Sequence, residues 1–205
     1  MPRGFLIALE GIDGAGKTTQ AKLLVKWLKS NGVEAVYTSE PTESEIGQII
    51  KRHLRNIRRR YSEEAIALLF TADRLYHIEK VITPALNKGK VVVTDRYVHS
   101  SIAYQTVTTG RRKWIEQINS IAPQPDLSIL IDLPVNQAIK RIKTRRKHLY
   151  EKHRFLTKVR REYLRLVKNG QMTLVDGRGD RLTVNKRIVD RVYEKLINKN
   201  IIFRY

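Results

Sequence analysis

Phe5-Leu-Ile-Ala-Leu-Glu10-Gly11-Ile12-Asp13-Gly14-Ala15-Gly16-Lys17-Thr18-Thr19-Gln20 decides how the rest of this 205-residue chain is read. Gly11, Gly16, Lys17 and Thr18 fit the spacing G-x-x-x-x-G-K-[ST] of a phosphate-binding P-loop. A run of apolar residues, Phe5 to Leu9, leads in as a strand would, and Leu23, Leu24, Trp27 and Leu28 follow at helical spacing. Strand, glycine loop and helix are what the chemistry needs. Glycines let backbone N–H groups turn inward on phosphate, and the helix N-terminus adds the positive end of its dipole. Residues Gly11, Ile12, Asp13, Gly14, Ala15, Gly16, Lys17, Thr18 and Thr19 are therefore expected to hold a nucleotide polyphosphate. Lys17 would reach the β- and γ-phosphates, and the Thr18 hydroxyl would hold Mg²⁺. The bland alternative is a glycine-rich turn that fits the pattern by chance; the strand and helix flanks argue against it.

Working outward, short β-rich runs occur at Phe5–Leu9, Val33–Thr38, Val91–Thr94, Leu127–Ile131 and Met172–Val175. Longer stretches with helical spacing separate them. Such alternation predicts an α/β fold, a P-loop NTPase with a five-stranded parallel sheet and helices on both faces. Helices are expected at Lys17–Asn31, at about Ser44–Arg58, from Ser62 to as far as Leu86, and weakly at Ser100–Thr106 and Arg112–Ile121. Others run from Pro134 towards Arg146 and over Arg154–Asn169 and Val184–Asn198. Ligands of such sheets bind beyond the carboxyl ends of the strands. That directs attention to Glu10–Thr19, Ser39–Glu45, Asp95–Gln105, Asp132–Pro134 and Asp176–Arg181.

The length suits one domain spanning residues 1–205. Hydrophobic residues make up 41% and charged ones 29% of the chain, ordinary for a soluble protein. No apolar run approaches a membrane span, and no signal-peptide pattern precedes Phe5. Cysteine is absent, which excludes disulfides, thiolate metal sites and cysteine nucleophiles and fits a cytoplasmic protein. The formal net charge is +20 and the pI near 10.3, a balance that draws polyanions such as nucleotides and nucleic acids. A Lys/Arg-rich solvated surface would give the same number.

Two further stretches carry chemistry. In Val91-Val-Val-Thr-Asp95-Arg96-Tyr97, an acidic residue ends a buried strand, as a Walker-B carboxylate does. Asp95 could orient Mg²⁺ directly or through water, and Arg96 offers a fork of donors to phosphate oxygens. An ion pair at a strand end is the alternative. In Leu68-Leu69-Phe70-Thr71-Ala72-Asp73-Arg74, Phe70 and Arg74 lie four apart on one helix face and could stack on a base and bond its edge. By spacing alone the stronger reading is a core Phe70 and a solvent-exposed Arg74.

The chain resembles the thymidylate kinases over nearly all its length. The family-like segments occur in order: Glu10-Gly-Ile-Asp13-Gly-Ala-Gly-Lys-Thr-Thr-Gln, Glu40-Pro41-Thr42, Leu69-Phe70-Thr-Ala-Asp-Arg74, Asp95-Arg96-Tyr97-Val-His-Ser100-Ser101-Ile-Ala-Tyr104-Gln105, and Pro125-Asp126-Leu127. The resemblance implies Mg²⁺-dependent transfer from ATP to dTMP, giving dTDP for dTTP biosynthesis, by a homodimer. It implies that Asp13 contacts the acceptor sugar, Phe70 stacks on thymine, Arg74 bonds the base edge and Arg96 grips the acceptor phosphate. Ser101, Tyr104 and Gln105 would read the base and pack the deoxyribose, and Arg141 would lie against the ATP adenine. Thr18 and Asp95 would serve the metal, and Lys17, Asp13 and Arg96 the transfer itself.

Residues 143–155 correspond to the family's small helical lid. Between Lys140 and Lys168 stand thirteen Lys/Arg and two Glu, which by itself reads as a solvated basic helix. Relatives with glycine where this chain has Gly14 resemble a type that takes its catalytic arginine from the lid, so Arg145, Arg146 and Arg154 are the candidates. Glu151, in Tyr150-Glu151, is expected near the acceptor. Many relatives place an arginine after Pro41, where this chain has Thr42-Glu43-Ser44; Lys51 or Arg52 is the expected substitute. Two rivals remain: the same reaction on dUMP, another deoxynucleotide or a nucleoside, and a basic nucleic-acid-binding protein that uses the P-loop as a switch. Against the latter, the positive charge is spread along the chain and no nucleic-acid-binding motif accompanies it.

Overall fold

The computed structural model describes residues 3–55, 61–142, 149–199 and 201, except for the side chains of residues 149–151. Five strands form one all-parallel sheet: β1 (Phe5–Glu10), β2 (Ala35–Ser39), β3 (Val91–Asp95), β4 (Leu127–Asp132) and β5 (Thr173–Asp176), in the order β2-β3-β1-β4-β5. The three central strands are apolar almost throughout because both their faces are covered. Alternate residues serve opposite sides. Ile7, Leu9, Val91 and Val93 join Leu24 and Leu28 of α1 (Lys17–Ser30) and Ile188 and Val192 of α9 (Arg181–Ile197). Leu6, Ala8 and Val92 instead meet Ile82, Leu86 and Val98. Each buried Leu, Ile or Val side chain among these contributes about 1.5–3 kcal/mol. Leu9 of β1 is in register with Asp95 of β3, which brings the end of β3 beside the glycine loop.

The remaining described helices are α2 (Glu45–Arg55), α3 (Glu63–His77), α4 (Thr83–Asn87), α5 (Val98–Thr109), α6 (Arg112–Asn119), α7 (Val135–Arg141) and α8 (Leu149–Lys168). Strand placements agree with the sequence reading to within about two residues, and four helices differ; one of them, α8, begins at Leu149 rather than at the expected Arg154. The single helix expected from Ser62 to Leu86 is interrupted by a π-helical segment at Ile78–Ile82. Pro84 lies in the first turn of α4 and has no N–H to return to the preceding turn, so the chain widens there. Helix α9 begins at Arg181, earlier than the periodicity suggests. Asp180 caps it, its Oδ1 accepting from the N–H groups of Leu182 and Thr183 at 2.8 and 3.0 Å. Helix α5 starts at Val98, directly after Arg96-Tyr97, and so carries Ser100, Ser101, Tyr104 and Gln105 on its first turns. No described helix is long and apolar enough to cross a membrane.

Candidate active site

The glycine loop turns on positive-φ residues. Gly14 has φ +83°, and a Cβ there would stand 2.3 Å from the Ala138 carbonyl of α7, so no larger residue fits this conformation. Gly16, φ +94°, caps α1. Around the loop lies a cavity of about 460 Å³ lined by Asp13, Gly14, Gly16, Lys17, Thr18, Thr19, Asp95, Arg96 and Arg141. Gly11, Ile12 and Ala15, also expected to hold the nucleotide, are not among the lining residues; the Ile12 carbonyl accepts from Ala15 N–H at 3.1 Å and from Lys17 Nζ at 3.0 Å. Burial and the neighbouring Arg96 cation, outweighing Asp95, Asp13 and Glu10, bring Lys17 down to about 8. Thr18 Oγ1 donates to Asp95 Oδ2, while Asp95 Oδ1 is buried with no protein partner. A hydroxyl and an under-used carboxylate beside a phosphate loop suit a hard cation or its water.

A second cavity, of about 490 Å³, adjoins the first. Asp13, Phe70, Arg74, Arg96, Ser101, Tyr104 and Gln105, all expected to bind the acceptor, line it together. The reading by spacing of α3 is reversed: Phe70 is half-buried at the cavity wall, and Arg74 is 1% exposed. Arg74 can be buried because its donors are occupied. Nε and Nη2 donate to Glu40 Oε2 at 3.0 and 2.7 Å, Nη1 to Asn119 Oδ1, and Nη2 also to Ser101 Oγ at 3.0 Å and the Tyr97 carbonyl at 3.1 Å. Glu40, joined to Pro41 by a cis bond, also meets His77 Nδ1 at 3.1 Å. Gln105 Oε1 is buried without a protein partner, an acceptor that a ligand N–H could use.

Asp13 and Arg96 line both cavities. Arg96 Nη2 donates to Asp13 Oδ1 at 2.5 Å, and its guanidinium lies 4.9 Å from the centre of the Tyr104 ring. Tyr104 Oη accepts from the Asp13 backbone N–H at 2.9 Å and donates to its Oδ1 at 3.2 Å. Burial opposes ionisation of Asp13, but Arg96, Lys17 and Lys152 together hold its carboxyl below the usual range. Arg96 stands at φ +75°, a strained backbone for a side-chain-bearing residue. Its surroundings maintain that conformation: Arg96 N–H donates to the Leu9 carbonyl at 3.0 Å, and Thr94 Oγ1 donates to the Arg96 carbonyl at 2.8 Å.

Beneath this pair is Glu10, fully buried. Its Oε1 accepts from the N–H groups of Tyr97 and Ser100 at 2.9 and 3.2 Å; its Oε2 accepts from Ser100 Oγ at 2.5 Å and Tyr163 Oη at 3.0 Å. Ser100 Oγ accepts in turn from Arg96 Nη1 at 3.1 Å. Burial raises the Glu10 carboxyl against the opposing pull of these donors and of Arg96. Sequence reasoning assigned no role to Glu10, Glu40, His77, Asn119, Ser100 or Tyr163. Glu10 adjoins the glycine loop and Glu40 precedes Pro41, so position pointed to both, but nothing local marked them as buried acceptors.

The basic residues near the acceptor also sort differently. Lys51 pairs with Glu43 on the surface, Arg52 is exposed, and neither lines the cavity, so the expected substitute for an arginine after Pro41 is not found there. The sequence Thr42-Glu43-Ser44 is instead tied down by Asp73, which accepts from Thr42 N–H and Ser44 Oγ, each at 2.8 Å. Arg154 is exposed and lines neither cavity, whereas Phe155 beside it lines the acceptor cavity and Lys152 acts on Asp13. Arg145, Arg146 and the Glu151 side chain lie outside the described residues, as do all of residues 143–148 of the expected lid.

Comparison with known proteins identifies the family. The family model described as thymidylate kinase matches residues 9–188. A protein of Pyrococcus abyssi named "Probable thymidylate kinase" is 46% identical over 203 residues, 95% of this chain and 98% of its own. One of the same name from Pyrococcus horikoshii is 52% identical over 147 residues, 70% of this chain and 72% of its own. One from Sulfurisphaera tokodaii is 42% identical over 177 residues, 86% and 88% of the two chains. With the motifs in order, the parallel sheet and the paired cavities, these matches establish that the chain belongs to the thymidylate kinase family.

Proposed function

We infer that the chain catalyses ATP + dTMP ⇌ ADP + dTDP, and the observation that carries this is the meeting of the two cavities at Asp13 and Arg96. The cavity at the glycine loop takes the donor; the one lined by Phe70, Arg74, Ser101 and Gln105 takes a flat base with hydrogen-bonding edges. An acceptor phosphate held by Arg96 then faces the donor's γ-phosphate. An acceptor oxygen forms its bond to γ-phosphorus as the bond to the β-bridging oxygen breaks, with ADP leaving. No covalent enzyme intermediate is required. The protein contributes alignment and fixed positive charge, from Lys17 and Arg96, where charge spreads in the transition state.

Thr18 and Asp95 would hold Mg²⁺ and its water, and the ion when bound would neutralise donor phosphate charge. Gly14, closed against α7, leaves no room for an arginine in the loop, which supports a lid origin for the additional cation. With Arg154 directed outward, Arg145 and Arg146 are the residues proposed for that role. Asp13 is proposed to receive the sugar hydroxyl, and the Tyr104 ring to favour a deoxyribose by occupying the space of a 2′-hydroxyl. Arg141, beside Gly16, is proposed to flank the adenine.

Steady-state turnover with dTMP, dUMP, dCMP and thymidine tests the assignment. We expect dTMP to lead, with dUMP behind by the 10–200-fold that one methyl group can give. Thymidine outrunning dTMP would refute it. The chain is further proposed to work in the cytoplasm as a homodimer through α3, whose exposed Leu68 and Leu75 are two turns apart on one face. Sedimentation as a monomer at micromolar concentration would remove the dimer.

A further inference from the structure

Most of the positive charge lies outside the residues assigned to the transfer, and on α8 it is ordered. Arg154, Lys158, Arg161, Arg165 and Lys168 are all exposed, and their spacing i, i+4, i+7, i+11, i+14 keeps them within a narrow arc of one helix face. At 1.5 Å per residue the row is about 21 Å long. Among the described residues none of the five has a carboxylate partner. Two nearby carboxylates among the described side chains are turned elsewhere: Glu162 of α8 pairs with Arg112, and Asp132 accepts Arg160 at 2.7 Å. Some exposed cations on other elements have partners, as in Lys80–Glu79 and Lys186–Asp190, whereas Lys22, Lys26 and Lys29 of α1 form a shorter exposed row of three without a carboxylate partner among the described residues. A row of unpaired cations along a helix in a protein of pI near 10.3 is the electrostatic footprint of a phosphate backbone.

We propose that the outer face of α8 binds duplex nucleic acid, without regard to sequence, through the phosphate row of one strand. At 3.4 Å of rise per phosphate on each strand, about 21 Å spans roughly six base pairs. Duplex is favoured over single strand because the row contains no aromatic side chain on which an unpaired base could stack. The opposite face of the helix is occupied: Leu156, Val159, Tyr163 and Leu166 lie in the core, and Phe155 lines the acceptor cavity. Binding on the outer face therefore leaves both cavities open.

The test is fluorescence anisotropy with a labelled 20-base-pair duplex of mixed sequence over a KCl series, using the full chain. Three variants are compared: the wild type, the triple reversal Lys158→Glu/Arg161→Glu/Arg165→Glu, and the reversal Lys22→Glu/Lys26→Glu/Lys29→Glu on the exposed face of α1. The two triples change the net charge equally, so they separate a surface from bulk charge. The wild type should bind with a slope of log affinity against log salt of about −4.5, for five contacts. The α8 triple should lose about 2.7 of that slope and at least tenfold in affinity at 0.1 M KCl, while the α1 triple stays within threefold of wild type. Turnover of dTMP within twofold of wild type in the α8 triple shows that it is folded; if it is not, the single Arg165→Glu variant takes its place, with an expected slope loss of about 0.9. Equal losses in both triples, no duplex binding by the wild type, tighter binding to single-stranded DNA of the same length, or preferential binding to vesicles rich in phosphatidylserine would each overturn the proposal.

Discussion

Replacing Glu40 by glutamine tests whether the acceptor cavity depends on a buried charge pair. The side chains of Arg74 and Glu40 are 1% and 2% exposed, and two of the guanidinium's donors converge on Glu40 Oε2. An amide keeps the shape but removes the counter-charge, and its NH₂ must face either Arg74 or His77. Breaking a buried pair while leaving one partner charged costs about 3–5 kcal/mol. The acceptors left to Arg74 are dipoles (Asn119 Oδ1, Ser101 Oγ and the Tyr97 carbonyl), which places the expectation near the lower end. For a chain of this size, about 2–4 °C per kcal/mol implies a Tm fall of about 6–12 °C at a cost of 3 kcal/mol. Urea unfolding at pH 7 and calorimetry measure it directly. Adding Arg74→Met to Glu40→Gln removes the stranded cation and should recover at least half the loss, a coupling that a double-mutant cycle reads. The dTMP KM should rise in Glu40→Gln while the ATP KM stays near wild type, since Glu40 lines only the acceptor cavity. A cost below about 1 kcal/mol, or no recovery in the double variant, would refute the buried-pair argument.

Three other expectations can be checked on the same preparation. Lys17→Met should abolish phosphoryl transfer yet leave dTMP affinity, measured calorimetrically, within about threefold, because Lys17 lines only the cavity at the glycine loop; undiminished turnover would contradict its role. In the free enzyme Lys17 titrates near 8, so its ammonium is present below that pH and lost above it. Affinity for a non-hydrolysable ATP analogue should therefore be level from pH 6.5 to 7.5 and fall by about a factor of ten per pH unit beyond 8, and a profile still level at pH 9.5 would rule this out. Glu10→Gln should lower kcat/KM for dTMP by about 10–100-fold, or roughly 1.4–2.7 kcal/mol, by loosening the Ser100–Arg96 contact, with the ATP KM unchanged; equal losses for both substrates would mean that Glu10 serves only stability.

The order of elements was legible in the amino-acid sequence because the signals are local. Strand and helix periodicities, Gly32 ending α1 and the spacing of Gly11, Gly16, Lys17 and Thr18 each act within a turn or two, and the sheet followed from their alternation. The break at Ile78–Ile82 was not legible: Pro84 signals a disturbance, but whether a helix stops, kinks or widens depends on what packs around it. Asp13, Phe70, Arg74, Arg96, Ser101, Tyr104 and Gln105 were named as acceptor residues from the family resemblance, and all of them line one cavity.

What the sequence by itself determined is a phosphate-binding loop, a parallel α/β sheet and a set of residues suited to a nucleotide acceptor. Tertiary structure decided which of those residues are buried and what they face. Arg74 could be assigned to solvent on helical spacing because a lone guanidinium is costly to desolvate. Only the arrival of Glu40, Asn119 and Ser101 from three other segments makes its burial affordable. The same holds for Arg154, whose place on the outer face of α8 follows from Leu156, Val159 and Tyr163 having claimed the inner one, and for Glu10, whose donors come from residues about 90 and 150 positions away. Spacing along a chain says which side chains share a face; which face is covered, and by what charge, is settled by partners distant in sequence.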